Sequence, residues 1–186
     1  MANFRKTNFA ENANEMTEIR KAGTEDLPAI HDMAEVVFRQ TYKDIISPEQ
    51  MEYMMDMMYS MPNLEKQLVE GHHYYLAYVS GKPCGYVSVQ HEGPDFSGIE
   101  VFHLHKIYVM PDMQGHGTGQ KLFEAAVSHV KAAVPGKSAR IELNVNKHNK
   151  AVGFYKHLGL RIILEEDFPI GNGFYKTDYI MGLDIA

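Results

Sequence analysis

Between Met110 and Phe123 the chain reads MPDMQGHGTGQKLF, with Gly115, Gly117 and Gly119 on alternate positions just ahead of a helix-like run. Three residues without side chains let successive backbone N–H groups converge on one anion at a helix start, where the helix dipole adds partial positive charge. The chemistry is that of a phosphate or pyrophosphate cradle. It is not a Walker loop, because no Gly-Lys-Ser/Thr closes it, and no acidic residue follows in the frame of a dinucleotide fingerprint. Glycines that merely cap a turn are the plain alternative, yet three in alternation exceed what a cap requires.

His103 and His105 stand two apart in a strand-like run, which puts both on one face. Neutral imidazole near pH 7 accepts a proton directly or through water; the alternative is a packed, hydrogen-bonded pair. Tyr155 lies where a polar strand end passes into a short helix, and a phenol there has the acidity to protonate a leaving thiolate. Aromatics on such helices are more often core. Cys84 has no cation or helix start beside it to depress its pKa, so it reads as buried and unreactive. No metal centre is expected: His103, His105, His72, His73 and His91 lack the HExxH or paired-cysteine spacing that zinc sites use.

These residues need elements to hold them. Met16 to Arg20 reads as a short strand, and Thr24 as the cap of a helix carrying Leu27, Ile30, Met33, Ala34, Val37 and Phe38 at helical spacing. Ser47-Pro48 opens a second helix whose Met51, Met54, Met55 and Met58 read as packing or a dimer contact. His73 to Gln90 is a hairpin turning at Ser80-Gly81-Lys82-Pro83, followed by a strand from Glu100 to Val109. Gly119 to Val134 is an amphipathic helix, Ala139 to Val145 a strand, and Lys150 to His157 a short helix. Two strands flank Gly171 to Gly173, and Glu165 to Asp167 read as a solvated loop edge. The reading is one mixed α/β domain over residues 16–186, with a flexible polar leader over 1–15.

With 186 residues, 45% of them hydrophobic, the chain is long enough to bury a core without metal or disulfide. A net charge of −6 disfavours a general nucleic-acid binder, and no stretch has the apolar length of a membrane span. One cysteine and a polar start point to a cytoplasmic setting.

Together these segments resemble the GCN5-related N-acetyltransferases. Gln114 to Gly119 matches the family's Q/R-x-x-G-x-G/A acyl-coenzyme A signature, and Ile107 to Pro111 resembles the strand end before it. Ala151 to Leu160 is similar to the family's second landmark, and Thr177 to Met181 to the last strand of the bacterial polyamine and small-amine branch. The resemblance implies a central six- or seven-stranded, mostly antiparallel sheet flanked by about four helices, with acetyl-coenzyme A as cosubstrate. It implies that the backbone of Gln114, Gly115, His116, Gly117, Thr118 and Gly119 binds the pyrophosphate. Ile107, Tyr108 and Val109 would pair with the pantetheine arm and polarise the thioester carbonyl, beside Phe154. Tyr155 falls on the family's general acid, and His103 with His105 resembles the paired histidines of the arylalkylamine branch, which take the amine's proton through water.

Two departures accompany it. His148 stands where the family has an asparagine seven residues before the tyrosine, leaving Asn146 or Asn149 to contact the coenzyme, and Gly159-Leu160 replaces Gly-Phe. The implied acceptor is a primary amine, a polyamine or other small amine. The alternatives are a protein N-terminus or lysine, or a non-catalytic acyl-coenzyme A-binding regulator. Acceptor pockets would be lined by the first two helices and the loop Phe168 to Lys176, with homodimerisation a further expectation.

Overall fold

The computed structural model describes residues 17–186, so the leader expected over residues 1–15 and Met16 lie outside the described residues. Seven strands form one sheet in the order β1-β2-β3-β4-β5-β7-β6. They are β1 (Glu18–Lys21), β2 (His73–Val79), β3 (Lys82–Pro94), β4 (Glu100–Val109), β5 (Ala139–Asn146), β6 (Arg161–Gly171) and β7 (Phe174–Ile185). Among the described residues only the β4–β5 pair is parallel, and the other neighbours run antiparallel. The helices are α1 (Leu27–Tyr42), α2 (Pro48–Tyr59), α3 (Met61–Val69), α4 (Thr118–Ala133) and α5 (Ala151–His157).

Alternation along the strands divides the apolar residues between two cores. On one face, Val87, Val89, Phe102, Leu104, Ile141, Leu143 and Met181 pack with Leu122, Phe123, Ala126 and Val130 of α4 and with Tyr155 of α5. On the other face, α1, α2 and α3 cover Tyr74, Leu76 and Tyr86. Leu27, Ile30, Ala34 and Phe38 are fully buried there, each large side chain contributing about 1.5–3 kcal/mol. Met51, Met54 and Met55 belong to this second core, so they pack within the chain.

Ser47 caps α2 as its spacing indicates, its hydroxyl accepting from the Gln50 N–H at 3.2 Å. Other readings need correction. Thr24 is not a cap: Thr24–Asp26 form a 3-10 turn after Gly23, whose N–H donates to Asp26 Oδ2, because Pro28 sits at the second position of α1 and displaces the helix start. The helix α3 went unread because it follows α2 directly, with Ser60 at the junction and Pro62 in its first turn. Glu165 to Asp167 lie within β6, exposed along the sheet edge, and most of Phe168 to Lys176 is hairpin strand turning at Asn172 and Gly173.

Candidate active site

The site begins where the parallel pair ends. β4 and β5 are in register from Glu100↔Ala139 to His103↔Glu142 and then part, although β4 runs on to Val109 and β5 to Asn146. Each keeps its outer neighbour: β3 stays on β4 through Gly85↔Val109, and β7 stays on β5 through Asn146↔Asp178. Among the described residues no strand pairs with the inner edge of Leu104 to Val109. That edge, carrying Ile107, Tyr108 and Val109, offers unpaired backbone groups to an extended ligand lying in the gap.

A bulge lies next to the point of divergence. Ser88 pairs with Lys106 and Val89 with Leu104, which leaves His105 as the extra residue. It brings Lys106 onto the side of the sheet that His103 and His105 already share by alternation; the rings of His103 and His105 lie 4.5 Å apart, and His72 stacks on His105 at 4.2 Å. Lys106 is 4% exposed and donates to Tyr74 Oη at 2.6 Å, to Met58 O at 3.3 Å and to Gln67 Oε1. It ties β4 to β2, α2 and α3. His105 Nε2 lies 2.9 Å from Gln90 Oε1, and His103 Nδ1 lies 3.9 Å from Glu92 Oε1.

Burial, helped by the Lys176 ammonium, brings the His103 pKa down to about 4. The His105 ring, crowded by neighbouring protein atoms though one edge meets solvent, is lowered further by that crowding and by His103, His72, Lys106 and Lys176. Both imidazoles are therefore neutral at physiological pH. The same burial holds His72 and His129 at about 4. An unfolded histidine titrates near 6.5, so between pH 6.5 and 4 the unfolded chain binds protons that the folded chain refuses. Stability is complete above about pH 6.5 and is lost as the pH falls through that window, His103 alone accounting for about 3 kcal/mol at the acid end. Urea unfolding between pH 7.5 and 4.5 should show this loss, and His103→Gln should make it shallower.

Past β4, Pro111–Met113 form a 3-10 turn and Gly117 precedes α4. Gly115 and Gly117 adopt φ of 82° and 80°, a left-handed conformation costly for most side chains, with nothing within 4 Å of an added Cβ. Gly119 serves close approach: an added Cβ would meet the Phe154 ring at 3.2 Å. The N–H groups at the start of α4 thus face open space, as an anion cradle requires. Thr118 is 1% exposed, and its Oγ1 has no hydrogen-bond partner among the described residues. His116 is exposed on the loop. Gln114 turns back, donating from Nε2 to Val109 O at 2.9 Å, so its side chain pins the loop to the strand end.

Tyr155 reaches the gap from the α4–α5 face, 8% exposed. Burial raises its pKa well above the ordinary phenol value, and Tyr42 adds to the shift. Tyr42 stands on the opposite face at the end of α1, its hydroxyl close to Tyr108 and Asn149. Tyr155 also acts electrostatically on Tyr108. Phenols rooted on opposite faces influence one another because β4 and β5 have separated between them. Asn146 Oδ1 accepts from the His148 N–H at 3.0 Å and Asn149 Oδ1 from the Ala151 N–H at 2.9 Å, so both carbonyl oxygens shape the turn into α5.

Cys84 is buried and its thiol pushed up to about 11 by burial, as its surroundings in sequence indicated. Among the described residues no group of three or more His, Cys, Asp or Glu side chains is arranged to hold a metal ion, and no helix is long and apolar enough to cross a membrane. Tyr42 and the buried carboxylate of Asp178 are the site residues that the pattern did not expose. Tyr42 extends the apolar face of α1 four residues past Phe38, and Asp178 sits inside a strand of ordinary alternation.

A sheet opened between parallel strands, with an anion cradle at its mouth and a phenol in the gap, defines a transferase fold for acyl-coenzyme A. The acetyltransferase (GNAT) domain model matches residues 30–181, and the chain belongs to this family. A probable N-acetyltransferase of Mycobacterium tuberculosis is 30% identical over 175 residues, covering 90% of this chain and 88% of that protein. An uncharacterized N-acetyltransferase of Methanocaldococcus jannaschii is 36% identical over 90 residues, 46% of this chain and 38% of that protein's length. The crystal structure of the PaiA N-acetyltransferase from Thermoplasma acidophilum, in complex with coenzyme A, superposes with a TM-score of 0.73 at 22% identity. It covers 90% of this chain and 98% of that one. The domain is an acetyl-coenzyme A-dependent N-acetyltransferase with the expected mixed, mostly antiparallel seven-stranded sheet.

Proposed function

We propose that the enzyme moves the acetyl group of acetyl-coenzyme A to a cationic primary amine of the polyamine or small-amine type, by direct attack of the nitrogen. The observation that carries this reading is the parting of β4 and β5 after His103 and Glu142, with Tyr155 entering the opening from one face and the histidines lying on the other. The cosubstrate supplies an activated acetyl thioester. Backbone N–H groups from Gly115 to Gly119 hold its pyrophosphate, and the free edge of Ile107 to Val109 aligns the pantetheine arm and polarises the carbonyl. Tyr155 returns a proton to the departing sulfur. The neutral imidazoles of His103 and His105 bind the water that carries the amine's proton outward.

The amine side is roofed by α2 and the β6–β7 hairpin. Tyr53 Oη donates to Ile170 O at 2.8 Å, Gln50 Nε2 to Tyr175 O at 2.9 Å, and the Tyr53 and Phe174 rings lie 5.6 Å apart. Such a closed roof suits a small acceptor better than a folded protein segment. Tyr175, 61% exposed at the outer tip, and the exposed Ile162, Ile163 and Leu164 of the edge strand β6 support a homodimer through this end of the sheet.

The test is thiol release from acetyl-coenzyme A with spermidine or a lysine-containing peptide as acceptor, with products identified by mass. Spermidine-dependent release giving acetylspermidine is expected. Release with the peptide alone would move the acceptor to proteins, and cofactor binding without any acceptor-dependent release would leave a non-catalytic acyl-coenzyme A binder.

A further inference from the structure

Asp178 is 1% exposed, and neither carboxylate oxygen has a hydrogen-bond partner among the described residues. A buried, unsatisfied carboxylate is costly unless a cation or a proton compensates it. It occupies β7 opposite Asn146, the last residue of β5, at the open end of the gap. Its charge is felt by the Tyr42 hydroxyl, which stands beside Tyr108 and Asn149 and is itself felt by Tyr155. The carboxylate therefore stands beside the cluster around the reaction centre, with an ion pair to Lys176 as its one close charged contact among the described residues.

The charged and titratable groups around it are few. Lys176, from its own strand, brings Nζ to 3.4 Å from Oδ2, near enough for an ion pair but misaligned for a hydrogen bond. Lys147, beyond β5, acts at longer range and is committed to Glu165 of β6. Glu166 of β6 is its register partner, and Tyr42 faces it from α1. Burial raises the Asp178 pKa against the pull of both lysines. The Lys176 side chain is 30% exposed on a flexible stem, so it can swing away and leave a carboxylate facing a space already shaped around an ammonium.

Resting on the amine-acetylation reading, we propose that Asp178 is the docking carboxylate for the acceptor's ammonium, with Lys176 as its stand-in until the acceptor arrives. The ammonium pairs with Asp178, one N–H proton passes to a carboxylate oxygen, and the freed nitrogen lone pair forms the bond to the acetyl carbon. The carbon–sulfur bond breaks and its electron pair leaves on sulfur, which takes the proton of Tyr155, while the acetylated nitrogen gives up its second proton to the tyrosinate through water. Asp178 then releases its proton to the water bound by His103 and His105, which carries it outward.

The two partners give opposite expectations. With spermidine titrated calorimetrically into coenzyme A-saturated protein, Asp178→Asn should weaken binding about 30-fold, while Lys176→Ala, which removes the competing cation, should tighten it about threefold. Coenzyme A affinity should stay within twofold of wild type in both. A structural ion pair predicts instead that both variants weaken binding together and melt at lower temperature. That same-sign result, or no spermidine heat with the wild type, overturns the proposal. The pH profile gives a second reading: the Asp178→Asn rate should climb with pH toward the amine's own pKa and approach wild type there, whereas a parallel loss at every pH overturns the proton step. Absence of wild-type turnover would count against the transferase reading, whereas the sign pattern in binding judges Asp178 separately.

Discussion

Replacing Tyr155 with phenylalanine should lower kcat about 100-fold, the usual contribution of a positioned proton donor, while leaving coenzyme A affinity within twofold. The reasons are geometric. The ring is part of the α4–α5 core and 8% exposed, so a phenylalanine fills the same space and α5 keeps its packing. Only the hydroxyl is lost, at the place where α5 meets the gap between β4 and β5. Burial keeps the phenol protonated far above neutral pH, so the proton is present throughout the working range and no alkaline limb of the wild-type profile should belong to it. Single-turnover rates with saturating acetyl-coenzyme A and spermidine would measure the effect on chemistry directly. An unchanged single-turnover rate would remove Tyr155 from the reacting atoms and leave it a core residue.

Much of this site is legible in the order of residues because its parts obey local rules. The alternating glycines require a left-handed backbone and open space, and both are found at Gly115 and Gly117. The amphipathic run behind them is α4, and the neighbours of Tyr155 at helical spacing mark a face that must be buried. What could not be read depends on contacts between distant segments. The bulge at His105 exists only in the pairing of β3 with β4, so nothing near Lys106 announces that its ammonium is buried under α3. The divergence of β4 from β5 is likewise a property of two strands thirty or more residues apart. Asp178 carries no local signal at all, since a single acidic residue in a strand normally faces water.

The loop before α4 offers a test in which affinity and stability move independently. Gly117→Asp should reduce acetyl-coenzyme A affinity about 100-fold, some 2.7 kcal/mol, with a melting temperature within a few degrees of wild type. Gly117 has φ 80° and ψ 0° with nothing within 4 Å of an added Cβ, and aspartate tolerates that conformation better than other charged residues. As the residue preceding the helix, aspartate also accepts from the free N–H groups of the first turn and places negative charge on the positive end of the dipole. That contribution, about 0.5–1 kcal/mol, offsets the backbone strain. The gain for the unliganded protein comes from the same N–H groups that the pyrophosphate needs, so the carboxylate both occupies them and repels the ligand. Gly117→Asn separates the two effects, because it accepts the same hydrogen bonds without the charge and should cost only about tenfold. If Gly117→Asp binds acetyl-coenzyme A as tightly as wild type, the pyrophosphate rests elsewhere and the glycines serve only to turn the chain into α4.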